Sequence, residues 1–267
     1  MNMTKKSPNA VVVLAAGTGS RLSPLTDHHH KSLLPIAGKP GIEWILESVC
    51  SSSTEEIVIV TGFRSNEVRS FVASKFGTRI RFVNNPEFLT DGNILSVDVG
   101  VNSLRAPDRG YLVVESDLFI EPLGWQAILS IDNPLDSFWV TKSFYSEALT
   151  GGALSSGANG RVRKLVYAPA YEEKHEGLRK LLGVLYVGES NVELDRQIRG
   201  EYVSRSISQY YMAPWIENLD RLPCYGLDLG RLRAASYNDE IAYRRANELA
   251  FSLPPKSDSI GRREDDD

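Results

Sequence analysis

The chain carries the segment Leu14-Ala15-Ala16-Gly17-Thr18-Gly19-Ser20-Arg21-Leu22, which begins where the apolar run 11–14 ends. An apolar run of this kind is typical of a strand that is buried on both faces of a parallel sheet. Gly17 and Gly19 allow backbone N–H groups to approach an anion without a Cβ in the way. Arg21 adds positive charge that a triphosphate requires. The segment therefore predicts a phosphate-binding loop after the first strand.

Two common phosphate-binding signatures do not fit this loop. The P-loop pattern of Gly, four residues and then Gly-Lys-Ser/Thr is absent. A dinucleotide fingerprint begins at Gly17-Thr18-Gly19, but its third glycine would fall at Leu22. The loop is followed by Pro24-Leu25-Thr26 and by KSLLPIAGKP at 31–40, whose Lys31 is a second cation for the triphosphate.

Length and composition fit a soluble α/β protein. The 267 residues are 42% hydrophobic and 24% charged, which is ordinary for a globular chain, and a prior of roughly 150 residues per domain allows one or two domains. The net charge of −4 argues against nucleic acid as a partner. Cys50 and Cys224 lack metal-ligand spacing and indicate a cytoplasmic protein. We expect no signal peptide and no membrane association, because no long apolar segment occurs.

Predicted strands and helices alternate through the first half of the chain. Strands are expected at 11–14, 56–61, 79–83, 111–115 and 137–142, and helices at 41–51, 66–76, 93–104 and 125–131. This alternation is typical of a Rossmann-like α/β fold with a mostly parallel sheet flanked by helices.

The combination of LAAGTGSRL, PLT and KSLLPIAGKP resembles the signature of the nucleotidyltransferases that act on sugar 1-phosphates and phosphocholine. The match runs without a break from Leu14 to Glu43. The resemblance implies an enzyme in which Arg21 and Lys31 are catalytic. It also implies that the loop binds the nucleotide through Leu14, Ala15, Ala16, Gly17, Thr18, Gly19 and Ser20.

After Thr150 the pattern becomes β-rich. A hairpin with its return strand at 161–167 is followed by a strand at 181–187, a helix at 192–199, a broken helix at 208–218, a strand at 223–227 and a helix at 239–250. We interpret this half as a β-rich elaboration that covers the acceptor side. One domain is expected at 1–253, with a nucleotide-binding part at about 9–140 and an acceptor-binding part at about 141–253. The polar segment 254–267 predicts a disordered tail.

Candidate metal ligands follow the strand predicted at 111–115, at the sheet edge where open α/β folds bind ligands. Asp117 is the expected Mg²⁺ ligand, because a carboxylate beside a triphosphate suits this ion and the family carries an aspartate there. A helix cap is the alternative. Glu115 is assigned to nucleotide binding. The resemblance makes Asn238 the second metal ligand, with Asp239 as its substitute and a capping role for Asn238 as the alternative.

The segment 91–96 resembles the base-reading strip of phosphocholine and phosphonate cytidylyltransferases, whereas sugar-specific relatives carry a Gly-Thr-Ala type run there. The amide of Asn93 and the hydroxyl of Ser96 match the donor and acceptors of cytosine. Gly92 stands where these relatives have a first asparagine. The resemblance therefore indicates CTP rather than UTP or dTTP. The alternative is that Asn93 only begins the following helix.

Three residues are candidates for binding the acceptor: Lys142, Arg205 and Tyr186. Lys142 ends the strand predicted at 137–142 and can reach an acceptor phosphate, with an ordinary surface lysine as the alternative. Register against the phosphocholine enzymes places Gly151-Gly152 and Ser204-Arg205-Ser206 where those enzymes surround choline with aromatic residues. Because a quaternary ammonium favours aromatic faces, this register argues for a small anionic acceptor; the alternative is a pocket lined by Tyr186, Tyr210 and Tyr211.

Together these features predict a Mg²⁺-dependent cytidylyltransferase that transfers CMP from CTP to a small phosphonate or phosphate monoester, with a phosphonoformate-like acceptor favoured, and releases pyrophosphate. One alternative is a sugar-1-phosphate nucleotidyltransferase that uses UTP, dTTP or GTP. Another is a non-catalytic nucleotide-sensing module. The sequence leaves the oligomeric state open, a homodimer included.

Overall fold

The computed structural model describes residues 7–131 and 133–253. Its strands are β1 (Ala10–Ala15), β2 (Pro35–Ile36), β3 (Lys39–Pro40), β4 (Glu56–Thr61), β5 (Ile80–Asn84), β6 (Tyr111–Glu115), β7 (Leu118–Ile120), β8 (Ser137–Phe144), β9 (Gly151–Ser156), β10 (Val162–Ala168), β11 (Arg179–Val187), β12 (Cys224–Asp228) and β13 (Ala234–Ser236). Its α-helices are α1 (Gly41–Cys50), α2 (Ser65–Phe76), α3 (Ile94–Asn102), α4 (Pro122–Leu129), α5 (Val192–Arg205), α6 (Ala213–Glu217) and α7 (Glu240–Phe251).

The central sheet has the strand order β10-β9-β11-β6-β1-β4-β5, and β8 and β12 join it beside β11. β1 lies between β4 and β6 and is parallel to both. β4 and β5 are also parallel. The loops that follow these strands therefore leave the sheet at the same edge, which is where ligands bind in open α/β folds.

Helices cover both faces of β1, and all six of its residues are buried. Val12 and Leu14 pack in a cluster with residues of α3, α5 and α6. Val11 and Val13 point to the opposite face and pack with α1, α2 and α4. Alternate side chains of a strand face opposite sides of a sheet, so an apolar run without alternation is required here. The predicted α/β class is confirmed.

The strands of the second half belong to the same sheet. β11 is antiparallel to β6 and to β8, and the β9–β10 hairpin pairs with the first residues of β11. β12 is parallel to β8. The β-rich elaboration thus lengthens the sheet beyond β6, so that the beginning of β11 lies beside the carboxyl end of β6.

Several elements differ from the sequence-based expectation. The helix predicted at 192–199 continues to Arg205, and the broken helix predicted at 208–218 is reduced to α6, which begins around Pro214. β7 and β13, which periodicity could not reveal at three residues each, form an antiparallel ribbon. The tail predicted at 254–267 lies outside the described residues. No helix in the described ranges is long and apolar enough to cross a membrane.

Candidate active site

A cavity of about 530 Å³ opens at the carboxyl edge of the sheet. Its wall is built from the loop after β1, the segment before α3, the residues that follow β6, the beginnings of β9 and β11, and the segments around Tyr211 and Asn238. Of the residues predicted for the loop, Ala15 alone is missing from this wall, because its side chain packs in the apolar cluster beneath α1.

The loop after β1 is packed closely against Lys31. Gly19 has a φ of 68°, and a Cβ added to it would lie 2.9 Å from the Cβ of Lys31. The Thr26 hydroxyl donates a hydrogen bond to the Gly19 carbonyl at 3.0 Å. Glycine is therefore required at position 19 both for its backbone conformation and for the space it leaves.

Lys31 and Asp117 meet across the cavity from different parts of the sheet edge. The Lys31 Nζ donates to Asp117 Oδ2 at 2.9 Å, and the Asp117 side chain is only 2% exposed. The second oxygen, Oδ1, is buried and has no hydrogen-bond partner. A buried carboxylate oxygen without a partner is rare and indicates a missing donor or cation. Asp117 precedes β7 rather than a helix, so the alternative of a helix cap is wrong.

His30 fixes the backbone turn that presents Lys31. Its ring is buried, and its Nδ1 accepts a hydrogen bond from the Ser32 N–H at 3.2 Å. The backbone N–H of His30 donates to Glu67 Oε2 at 2.9 Å. Burial, with a smaller contribution from the Lys31 charge, lowers the pKa of His30 to about 4. The ring is therefore neutral at pH 7 and acts as a hydrogen-bond acceptor that caps the turn.

Asn238 lies next to Asp117 because the β7–β13 ribbon continues into it. The Tyr237 N–H donates to the Asp117 carbonyl oxygen at 2.9 Å. Arg21 Nη2 donates to Asn238 Oδ1 at 3.0 Å, which joins the loop after β1 to this segment. Asp239, rather than Asn238, caps α7, with its Oδ1 accepting from the Ala242 N–H at 2.8 Å. The capping alternative for Asn238 is wrong.

The oxygen atoms available beside the loop suit a small divalent cation. Within residues 7–131 and 133–253, no group of three or more His, Cys, Asp or Glu side chains could hold a metal. Asp117 Oδ1 and Asn238 Oδ1 are hard oxygen donors, and Mg²⁺ commonly takes one or two protein oxygens and completes its shell with phosphate and water. The donor set therefore fits Mg²⁺ bound together with a nucleotide.

Asp91 organises the segment where base recognition is expected. Its carboxylate accepts hydrogen bonds from the N–H groups of Asn93, Leu95 and Ser96 at 2.8, 3.0 and 2.9 Å. It also accepts from the Ser96 hydroxyl at 2.7 Å and from Asn85 Nδ2 at 2.7 Å. The Ser96 hydroxyl is thus used within the protein. Ser96 stands at the cavity wall as a residue that shapes it, not as a free donor to a base.

The neighbours of Gly92 and Asn93 come from the second half of the chain. A Cβ on Gly92 would lie 2.6 Å from the carbonyl oxygen of Gln209, which explains why asparagine is absent at this position. Asn93 has a φ of 96°, and its Oδ1 accepts from the Tyr211 N–H at 2.9 Å. Asn93 does precede α3, as the alternative proposed, but its side chain also ties the two halves of the cavity together.

Glu115 and Lys180 face each other at the end of β6. Burial, reinforced by the Asp117 charge, raises the pKa of Glu115 to about 7. Burial lowers the pKa of Lys180 to about 8, although Glu115 and Asp117 oppose this shift. Gly183 leaves the space that the Glu115 carboxylate occupies, since a Cβ there would lie 2.5 Å from Oε2. Lys180 was not predicted, and its only sequence signal is that it follows Arg179 at the start of the strand β11, which is apolar from Leu181 onwards apart from Gly183.

The three residues predicted to bind the acceptor do not line the cavity. The Lys142 amine donates to the carbonyl of Gly230 at the surface. Tyr186 is 1% exposed, and its hydroxyl donates to the Pro134 carbonyl at 3.1 Å. Arg205 lies exposed at the end of α5. The prediction that Lys142, Tyr186 and Arg205 bind the acceptor is therefore wrong.

Aromatic rings do line the cavity, and Tyr210 and Tyr211 are among the three tyrosines that the sequence offered for a pocket. Tyr167 and Tyr210 have ring centroids 4.1 Å apart, and Tyr211 packs on Trp139 at 5.6 Å. All four residues belong to the cavity wall. The small residues at Gly151-Gly152 thus do not remove aromatic surface from the site, and the argument against a cationic group on the acceptor loses its basis.

The first half of the chain matches a known protein family. Residues 11–132 match the family model of the MobA-like NTP transferase domain. The CMP-5'-(3-aminopropyl)phosphonate synthase of Streptomyces rubellomurinus is 34% identical over 126 residues, which are 45% of this chain and 20% of that protein. The 2-aminoethylphosphonate cytidylyltransferase of Lancefieldella rimae is 28% identical over 109 residues, 41% of this chain and 43% of that protein.

A uridylyltransferase for glucose 1-phosphate from Bacillus subtilis is 41% identical over 58 residues, 22% of this chain and 20% of that protein. The chain thus spans less than half the length of these curated relatives. The solved structure of the CTP:phosphocholine cytidylyltransferase from Streptococcus pneumoniae superposes with a TM-score of 0.74 at 21% identity, covering 90% of this chain and 99% of that one. The predicted relationship to nucleotidyltransferases is confirmed, and the common fold extends over both halves.

Proposed function

We propose that this chain, whose residues 11–132 match the family model of the MobA-like NTP transferase domain, transfers CMP from CTP to a small phosphonate or phosphate monoester and releases pyrophosphate. The observation that carries this proposal is the contact between Lys31 and Asp117, with the second oxygen of Asp117 buried and unpaired beside a glycine loop. A cation, a carboxylate and exposed N–H groups around one space are what a nucleoside triphosphate requires.

The residues around this space divide the work of the transfer. The backbone of the loop at Gly17 and Gly19, with Arg21, would bind the pyrophosphate that leaves. Lys31 has further N–H donors beyond the one given to Asp117, and these would stabilise negative charge that grows at the α-phosphate. A Mg²⁺ ion held by Asp117 and Asn238 would neutralise charge on the phosphate oxygens.

The choice of CTP rests on Asn93 and on the names of the relatives. The Asn93 side-chain oxygen is taken by the Tyr211 N–H, so its amide N–H₂ would donate to the O2 or N3 acceptor of cytosine. The two relatives described above that act on phosphonates also favour a phosphonate acceptor. Because Tyr167 and Tyr210 line the cavity, an acceptor with an amino group is favoured alongside the phosphonoformate-like one.

A second candidate is a sugar-1-phosphate nucleotidyltransferase, which the uridylyltransferase relative supports. A nucleotide-sensing module without activity is disfavoured, since Arg21, Lys31 and Asp117 are all in place. A single domain at 1–253, a homodimer, a cytoplasmic location and the lack of a nucleic-acid partner stay predictions.

The test is a matrix of CTP, UTP, dTTP and GTP against phosphonoformate, 2-aminoethylphosphonate, 3-aminopropylphosphonate, phosphocholine and glucose 1-phosphate, with Mg²⁺. Pyrophosphate release and the mass of the product are measured. We expect turnover with CTP and a phosphonate. Turnover with glucose 1-phosphate alone would support the second candidate, and no pyrophosphate from any pair would contradict an enzymatic role.

A further inference from the structure

We propose that Lys180 binds the phosphonate or phosphate oxygens of the acceptor, on the side of Asp117 that faces away from the glycine loop. This inference rests on the proposed function and deepens it, because it assigns the acceptor side of the cavity to a residue on β11. It also replaces Lys142, whose amine is bonded to a surface carbonyl.

The order of the strands separates Lys180 from the glycine loop. β6 lies between β1 and β11 in the sheet, and β11 runs antiparallel to β6 with Val184 opposite Val114. Lys180 precedes that point, so it lies beyond the carboxyl end of β6 and pairs with Ala153 of β9. The loop after β1 and Lys180 therefore flank the residues that follow β6, Asp117 among them.

The Lys180 amine has an unusual set of neighbours for a lysine withdrawn from solvent. Its Nζ donates to the carbonyl of Leu181 at 2.8 Å. Among the ion pairs of the described residues, none includes Lys180, whereas the Lys31 amine is paired with Asp117. An ammonium has three donors, so this amine keeps donors for an oxyanion that the protein itself does not supply.

The wall opposite this amine is kept open by glycine. Gly151, at the beginning of β9, has a φ of 105°, and a Cβ added to it would lie 3.5 Å from the Lys180 Nζ. Both residues belong to the cavity wall. A residue with a side chain at position 151 would fill the space in front of the amine, so the glycine preserves access for a small ligand.

The chemistry of the transfer requires an anion site at this place. In an in-line displacement the attacking oxygen approaches the phosphorus opposite the leaving group. An oxygen of the acceptor forms the new bond to the α-phosphorus of CTP, and the bond from that phosphorus to the bridging oxygen breaks. Pyrophosphate departs with the electron pair, and an ionised acceptor has no proton to lose. If the glycine loop holds pyrophosphate, the acceptor enters from the β11 side.

An ionised acceptor also needs a cation on this side, because Glu115 and Asp117 both border the cavity. The Asp117 carboxylate and the ionised fraction of Glu115 repel a phosphonate, and Lys31 is already engaged with Asp117. Lys180 is the group on β11 that offsets this repulsion. Its removal therefore weakens the binding of the acceptor far more than the binding of CTP, which lies on the β1 side.

The experiment compares Lys180→Met with the matched control Lys142→Met, which removes a lysine from outside the cavity. With CTP and 2-aminoethylphosphonate, we expect Lys180→Met to raise the KM of the acceptor by about 10- to 100-fold and to leave the KM of CTP within about twofold. Lys142→Met should leave both constants within about twofold of wild type. Lys180→Arg should retain part of the affinity for the acceptor. An unchanged acceptor KM in Lys180→Met overturns the inference.

A direct binding measurement separates this inference from the proposed function. Methylphosphonate and inorganic phosphate are titrated by calorimetry into the wild type, Lys180→Met and Lys180→Gln, and CTP binding by each variant reports an intact fold. Weaker binding of both anions by the variants than by the wild type supports the inference. This holds even if the wild type turns over no acceptor, because a lack of turnover would contradict only the proposed function. Equal binding, or no binding to the wild type, overturns the role of Lys180.

Discussion

The two sides of the cavity hold their charged groups differently. On the side of β1, Lys31 is bonded to Asp117, Arg21 to Asn238, and the Asp91 carboxylate accepts from backbone and side chains of the segment before α3. On the side of β11, the Lys180 amine donates to a single backbone carbonyl, that of Leu181, and forms no ion pair within the described residues.

This difference matters because a group that is already bonded keeps its orientation when a ligand arrives. The β1 side is organised in advance, as a site for a constant part of the substrate should be. On the β11 side, the Lys180 amine retains N–H donors that a ligand can engage. We therefore expect the β1 side to keep its geometry when the nucleotide binds, and the β11 side to adjust to the acceptor.

The largest effect is expected from removing the cation of the β1 side. Lys31→Met deletes the donor to Asp117 and the charge nearest the α-phosphate, so we expect kcat to fall by about 10³-fold. The free energy of unfolding should also fall, by about 3 kcal/mol, because the buried Asp117 carboxylate loses its partner. Pyrophosphate release and thermal melting measure the two effects.

Lys39→Met is the matched control, since Lys39 pairs with Glu47 away from the cavity. It should retain full turnover. A large drop in melting temperature for Lys31→Met, together with residual activity close to that of the control, would mean that Lys31 is structural.

A smaller effect is expected from Asp117→Asn, which keeps an oxygen acceptor for Lys31 but removes the negative charge. We expect the Mg²⁺ concentration for half-maximal activity to rise by about 10- to 100-fold, because a charged ligand contributes most to binding a hard cation. Titration of Mg²⁺ at fixed CTP measures this. An unchanged Mg²⁺ dependence would exclude Asp117 as a ligand.

Gly92→Asn tests how closely the segments around Gly92 and Gln209 are packed. It introduces the asparagine that related base-reading segments carry at this position. Because a Cβ at this position would lie 2.6 Å from the Gln209 carbonyl oxygen, we expect a loss of about 3 kcal/mol in the free energy of unfolding. We also expect a higher KM for CTP, since the segment that carries Asn93 must shift. Urea denaturation and initial rates measure the two effects.

Gly157→Asn provides a control, because the atoms that a Cβ would meet there belong to the flexible side chain of Arg163. A stable Gly92→Asn variant that binds CTP more tightly would show that the segments around Gly92 and Gln209 separate easily. The two sides of the cavity would then be less tightly joined than the geometry indicates.

The sequence predicted the β1 side of the site well, because its residues follow the strands in short order. The loop from Gly17 to Arg21 and the carboxylate of Asp117 each stand directly after a buried apolar strand, where the fold class alone puts ligand-binding residues. A contact such as Lys31 to Asp117 could then be expected from the parallel order of β1 and β6.

The β11 side could not be predicted in the same way. β11 is antiparallel to β6, so its binding residue stands at the beginning of the strand and not at its end. Lys142 ends the predicted strand 137–142, yet β8 continues to Phe144 and the Lys142 side chain turns to the surface. No recognisable sequence motif surrounds Lys180, Tyr167 or Tyr210. Only the pairing of β11 with its neighbouring strands shows that Lys180 reaches the cavity.

The smallest expected effect concerns His30, whose ring caps the turn before Lys31. Its pKa in the folded protein is about 4, below the ordinary value of 6.5. As the pH falls, His30 is therefore protonated in the unfolded chain at a higher pH than in the folded protein. Stability is therefore complete above pH 7 and falls as the pH drops through 6.5 towards 4, by about 2 kcal/mol at pH 5. His30→Asn, which keeps an acceptor for the Ser32 N–H, should lose less stability over this range.

Urea denaturation from pH 8 to pH 5 measures the slopes, with His29→Asn as the matched control because the His29 side chain is 66% exposed. The control should follow the wild type. Parallel curves for the wild type and His30→Asn would mean that the His30 ring takes up a proton in the folded state without cost. The turn before Lys31 would then accommodate a protonated His30 ring, and the β1 side would be less fixed in its geometry than its hydrogen bonds indicate.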